Sequence, residues 1–177
     1  MLQKKSPIRR SLSALAIASC LVTGVPVISY ANGLPGLTIF GGPGREHQLP
    51  FRLDFGGQPD RWDRYRLRIP ARKLKLAASQ FSVSYPERFN GKFDPEEIQV
   101  RVKRKPIPLQ EVIWDQENNL IEIYPETPVP AGTQVELVFS NVINPTFGIY
   151  YFKCLILTPG DIPLPRYIGT WDLSINR

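Results

Sequence analysis

Residues 124–171 read YPETPVPAGTQVELVFSNVINPTFGIYYFKCLILTPGDIPLPRYIGTW, and this stretch decides the fold class. Three strand candidates begin within it: Thr133–Val142, Ile149–Thr158 and Arg166–Ile175. In the first, Val135, Leu137 and Phe139 face one way and Gln134, Glu136 and Ser140 the other, the period-2 pattern of a half-buried antiparallel strand. Val138 is an apolar residue on the polar side of that pattern. Pro128 and Pro130 each fix φ and lack an N–H, so the run before it is neither helix interior nor central strand. Ala131-Gly132 supplies the turn, with Gly free to take positive φ. Asn144-Pro145 ends the strand, because the residue before Pro is driven out of the helical region. The second candidate is apolar on both faces apart from Lys153, as expected of a strand covered on both sides. Pro159-Gly160 closes it, and Trp171, Leu173 and Ile175 then alternate with Asp172, Ser174 and Asn176.

Working outward, the N-terminus has a different character. Lys4, Lys5, Arg9 and Arg10 precede a mostly apolar run, Leu12–Ile28, and Ser29-Tyr30-Ala31 places small residues at the −3 and −1 positions before Asn32. These are the three parts of a secretory signal peptide, cleaved between Ala31 and Asn32. The run is interrupted by Gly24 and Pro26 and is short for a span, which needs about 20 apolar residues. Cys20, in Ile17-Ala18-Ser19-Cys20, offers a lipid-anchored alternative. The domain expectation is therefore a signal peptide at 1–31 and one β domain at 32–177, periplasmic or extracellular, with no membrane span in the mature chain.

Cleavage changes the charge argument. The whole chain has 22 Lys+Arg against 16 Asp+Glu, and the leader holds four of the basic residues and none of the acidic ones. The remainder stands at 18 against 16, so nucleic acid is not an expected partner. One cysteine, Cys154, survives cleavage, which rules out an internal disulfide. The fold must rest on its core.

Sixteen of the 18 prolines follow residue 31 and cut the chain into short pieces. Leu37–Phe40 reads as a first edge strand and Gly41-Gly42-Pro43-Gly44 as a loop, without the Lys-Ser/Thr of a phosphate loop. Further strand patterns occur at Phe51–Phe55, Asp60–Pro70, Phe81–Tyr85 and Ile98–Val102. Ala71–Ala78 reads as a short helix with Leu74 and Ala77/Ala78 on its apolar side. Asn90-Gly91 is a turn signal, Asp94–Glu97 the opening turn of a short helix, and Lys103–Pro106 a charged turn. Glu111–Asp115 and Leu120–Tyr124 flank a hairpin loop at Gln116–Asn119. Eight or nine strands at this spacing predict an all-β, antiparallel, immunoglobulin-like sandwich with at most one short helix.

Chemistry-bearing residues are few. His47 is the sole histidine and reads as a solvated loop residue; Cys154 reads as buried, with Lys153 on the opposite face. No catalytic group, metal ligand or cofactor site is indicated. The strongest patch is Trp62 with Arg64, Arg66 and Arg68, followed by Arg72, Lys73 and Lys75, a candidate surface for an anionic polymer: cell-wall phosphate, an acidic envelope polysaccharide or a membrane surface. Asp60 and Asp63 stand close enough in sequence to neutralise part of it, and a charged edge strand is the plain structural reading. The aromatics Tyr150, Tyr151, Phe152, Tyr167 and Trp171, spaced by two on strands, read mainly as core.

Several blocks carry a family likeness: Leu34–Phe40, Pro128–Thr133, Asn144-Pro145 with Gly148, Tyr150 and Phe152, then Pro159-Gly160 and Arg166–Trp171. They resemble an uncharacterised domain-of-unknown-function family of secreted or periplasmic cyanobacterial proteins. The resemblance implies export and a compact β-rich domain, and implies no activity. The expected function is an exported, non-catalytic cell-envelope protein, structural or binding an envelope polymer or protein partner. The alternative is an envelope glycan hydrolase using two carboxylates brought together by the fold.

Overall fold

Alternation of apolar and polar residues becomes ten strands in the computed structural model, which describes residues 44–160 and 162–176. The signal peptide, the Ala31/Asn32 cleavage point, Cys20 and the Leu37–Phe40 strand expected from sequence lie outside those residues. In chain order the strands are β1 (Phe51–Leu53), β2 (Trp62–Ile69), β3 (Gln80–Ser84), β4 (Ile98–Val102) and β5 (Lys105–Ile107), then β6 (Leu109–Asp115), β7 (Leu120–Pro125), β8 (Val135–Ile143), β9 (Gly148–Leu157) and β10 (Pro165–Ile175). Every named pairing is antiparallel, in two five-stranded sheets ordered β1-β2-β8-β4-β5 and β10-β9-β3-β7-β6. This is the immunoglobulin-like sandwich the strand spacing predicts.

The inward residues of both sheets meet in one core. Tyr65, Leu67 and Ile69 of β2 and Val135, Leu137 and Phe139 of β8 are fully buried, as are Phe81, Phe152 and Trp171 from the facing sheet. Around them Phe89 and Phe93 stack at 5.0 Å, and Phe152 packs edge-on against both. Two polar contacts tie β2 into place. The Trp171 Nε1–H donates to the Arg68 carbonyl at 3.2 Å, linking β10 of one sheet to β2 of the other. The Tyr65 hydroxyl donates to Asn144 Oδ1 at 2.6 Å. Asn144 thus does more than precede Pro145: buried at the end of β8, it also donates to the Gln58 carbonyl at 2.8 Å.

Four expectations need correction. Ala71–Ala78 is not helical: a turn at Pro70–Lys73 is followed by irregular chain, and the only helical pieces described are single 3-10 turns at Arg45–His47 and Pro95–Glu97. Leu74 and Ala78 are both buried at a helix-like spacing, but their backbones bond Gly132 and Val129 across the loop instead of residues four apart. Asn90-Gly91 forms no turn. The local turn is Pro86–Phe89, and a Cβ at Gly91 would meet the Ile143 carbonyl at 2.5 Å, so this glycine serves close packing. The outer face of β9 is not covered: Ile149 and Tyr151 are exposed and Leu155 and Leu157 only half-buried. Finally, β2 is not an edge strand, because β1 flanks it on one side and β8 on the other.

Candidate functional site

Strand alternation places Arg64, Arg66 and Arg68 on the outer face of the β1-β2-β8-β4-β5 sheet, and cross-strand register decides what lies beside them. One row across the sheet runs Arg52, Arg66, Val138, Gln99; the next runs Arg68, Glu136, Arg101, Pro106. Arg52 directly opposite Arg66 is a like-charge pair, destabilising unless an acid intervenes. Asp54, in the turn after β1, supplies it. Its carboxylate accepts from Arg66 Nε at 2.8 and 3.0 Å and lies 3.2 Å from Arg52 Nε, while Arg64 Nη1 stands off at 4.0 Å. Glu136 accepts from Arg68 Nε at 2.9 Å and from Arg66 Nη1 at 3.4 Å. The hydrogen bond to Asp54 chiefly holds the Arg66 guanidinium above its ordinary pKa range.

The neutralising acids are therefore Asp54 and Glu136, not the sequence-near Asp60 and Asp63. Asp63 falls on the inner side of the alternation and is fully buried. It accepts from the backbone N–H groups of Phe55, Gly57 and Arg64 and organises the β1–β2 loop. Val138 explains its own irregularity. It lies in the arginine face yet is 1 % exposed and stands apart from the core cluster, covered by the long side chains around it.

The face forms a trough of about 340 Å³ walled by Arg52, Arg66, Arg68, Arg101 and Arg104, with Asp54 and Glu136 between them. With Arg64 at its side, the face sets six guanidinium groups against two carboxylates. Among the described residues, Arg101 and Arg104 have no carboxylate partner. Arg101 reaches Gln99 Oε1 only at 3.5 Å, and its buried Nε–H has no acceptor. Arg104 reaches the trough from the two-residue β4–β5 turn, in which Lys103 and Arg104 take φ of 50° and 71°. That backbone normally selects Asn-Gly.

Of the four patch residues named from sequence, Arg66 and Arg68 line the trough and Arg64 borders it. Trp62 sits elsewhere. It is 55 % exposed, opposite Ile143, with Phe55 packed edge-on at 4.9 Å. Arg52, Asp54, Arg101, Arg104 and Glu136 are the residues that sequence reading missed. The outward position of Arg101 and Glu136 was visible, but their adjacency to β2 was not.

The remaining candidates behave simply. Cys154 is fully buried and burial raises its thiol pKa, which disfavours the thiolate. His47 is not merely solvated: it ends the first 3-10 turn with its ring 5.6 Å from that of Tyr167. The two rings border a second depression of about 480 Å³ shared with Lys73, Lys75 and Arg166. Tyr150, Phe152 and Trp171 are core, whereas Tyr151 is exposed and Tyr167 half-buried.

The sequence profile of one family, described as a protein of unknown function (DUF2808), matches residues 37–175. The chain belongs to the DUF2808 family. Among curated proteins nothing matches it. Solved structures similar to this DUF2808 domain include BslA, a bacterial hydrophobin, at 12 % identity, covering 73 % of this chain and 97 % of that one with a TM-score of 0.47. The collagen-binding domain of a Staphylococcus aureus adhesin is 9 % identical over 73 % of this chain and 97 % of that one, with a TM-score of 0.43. An uncharacterised immunoglobulin-like protein of Nocardia farcinica is 12 % identical over 73 % and 99 %, with a TM-score of 0.42. Likenesses this distant say nothing about a ligand.

Proposed function

We propose that this DUF2808 chain is an exported, non-catalytic cell-envelope protein of a cyanobacterium that binds an anionic envelope polymer through the arginine trough. The observation that carries the reading is the charge of the trough: six arginines around two carboxylates, on a chain that stands near neutrality once the leader residues are set aside. Clustered guanidinium groups on a rigid sheet suit the repeated carboxylate or phosphate groups of an acidic polymer, because the planar fork pairs with either in two-point fashion. The two trough carboxylates act as counter-ions to arginine, a structural role. Export rests on the basic, apolar and small-residue order of residues 4–31, and places the protein in the periplasm or outside the cell.

Two experiments test this. N-terminal sequencing of the protein recovered from its native host should begin at Asn32; finding Met1 intact in the cytoplasm sinks the export reading. Co-sedimentation with isolated envelope should pellet the protein at low salt and release it at moderate salt. Protein that stays in the supernatant at low salt contradicts polymer binding and turns the search to a protein partner.

A further inference from the structure

We propose that the narrow end of the trough, a pocket of about 170 Å³ walled by Arg68, Arg101, Arg104, Gln134 and Glu136, is a site for one terminal phosphate group. The inference rests on the polymer-binding reading and narrows it, since it names the group on the polymer that is held.

Charge is the first ground. Glu136 accepts from Arg66 and Arg68, and Asp54 from Arg66. Arg101 and Arg104 have no such counter-ion among the described residues, so the pocket carries about two uncompensated positive charges. A phosphomonoester carries about −1.5 to −2 at neutral pH and presents three acceptor oxygens, which balances that excess. A single carboxylate leaves one guanidinium unmatched.

The second ground is the buried Arg101 Nε–H, which has no acceptor. Buried donors are almost always satisfied, and this one meets no oxygen among the described residues. Guanidinium groups bind oxyanions through paired N–H bonds, and Arg101 lines the pocket with its fork unclaimed by any carboxylate among the described residues.

Backbone conformation is the third. Lys103 and Arg104 both hold left-handed conformations where Asn-Gly is the favoured choice. Unfavourable backbone kept in place at a site is a pointer to function, and here it delivers Arg104 to the pocket wall. Size agrees as well. The pocket is several times the ~10–15 Å³ that one water needs, and smaller than the roughly 300–1,000 Å³ of sites that enclose whole small molecules. It suits one charged group whose carrier runs on along the trough.

Calorimetric titration of the purified chain with inorganic phosphate, methyl phosphate and acetate, at matched ionic strength, tests the proposal. Inorganic phosphate and methyl phosphate should bind at one shared site, with acetate at least tenfold weaker, and phosphate binding should strengthen between pH 5 and 8 as the second proton leaves. Arg104→Gly should weaken phosphate at least tenfold while easing the turn backbone, so the loss does not come from misfolding. Arg101→Lys, which keeps the charge but loses the fork, should weaken it as well. Lys153→Ala, on the outer face of the other sheet, should change nothing. Equal binding of acetate and phosphate, no phosphate binding, or an Arg104→Gly variant that binds like the parent each overturn the site. Phosphate binding without envelope pelleting supports the site and removes the polymer reading. Pelleting with no phosphate binding does the reverse.

Discussion

Asp63 has no exposed surface and accepts three backbone N–H bonds, from Phe55 and Gly57 at 2.8 Å and from Arg64 at 2.7 Å. Asp63→Ala strands these donors, each at about 1–3 kcal/mol, so we expect the unfolding free energy from urea titration to drop by at least about 3 kcal/mol, with Asp63→Asn in between. Tyr65 gives a pH-dependent prediction. Burial, ahead of the nearby Asp63 and Tyr150 charges, raises its phenol pKa in the folded state. The unfolded phenol ionises near pH ~10, so the folded state holds a proton that the unfolded state has lost. Stability is therefore intact below that pH and falls as pH rises above it. Cys154 shifts in the same direction through burial, with its fall beginning lower, near the ordinary thiol pKa of about 8.5. Thermal midpoints across pH 7–11 should decline less steeply in Tyr65→Phe, although that variant starts about 1–2 kcal/mol lower from losing the Asn144 bond. An unchanged alkaline slope contradicts this assignment. Native Cys154 should also resist thiol reagents until the chain is unfolded.

At the scale of elements, the β4–β5 turn and the β10 bulge make opposite predictions. Replacing Lys103-Arg104 by Asn-Gly relieves two left-handed non-glycine residues and should raise stability by roughly 1–2 kcal/mol in denaturant unfolding. Gly169 lies at the bulge in the β9–β10 register, where a Cβ would stand 2.6 Å from the His47 carbonyl and 2.7 Å from Leu49 Cγ. Gly169→Ala should cost about 1–3 kcal/mol by overpacking. Elements of this kind were legible in different degrees. Tyr65, Leu67 and Ile69 announced β2, and Arg64, Arg66 and Arg68 its outer face, because alternation is a local signal. The Gln116–Asn119 hairpin was legible too, with Asp115 paired to Leu120. Leu74 and Ala78 misled because burial at a helix-like spacing also arises when a loop docks two side chains. In β9, Leu155 and Leu157 suggested a second covering layer, but their cross-strand neighbours on that face, Ser82, Gln80 and Tyr167, leave them only half-buried.

Across the whole molecule, the arginine site emerges from pairings between distant parts of the chain. Asp54 reaches Arg66 across 12 residues and Glu136 reaches Arg68 across 68, so no sequence window contains a site of this kind. Composition hid it further, since residues 32–177 balance 18 basic against 16 acidic residues while the trough concentrates one sign. The sandwich supplies the rigidity: Trp171 bonds the Arg68 carbonyl from the opposite sheet, directly beneath the charged row. The most direct test of the arginine trough as an anionic-polymer surface is the salt dependence of binding to a fluorescent phosphorylated oligosaccharide. Counter-ion release predicts that affinity falls by about tenfold between roughly 50 and 200 mM salt, and that Arg101→Ala and Arg104→Gly both weaken binding and flatten that dependence. Affinity that ignores salt, or that both substitutions leave intact, would contradict the account.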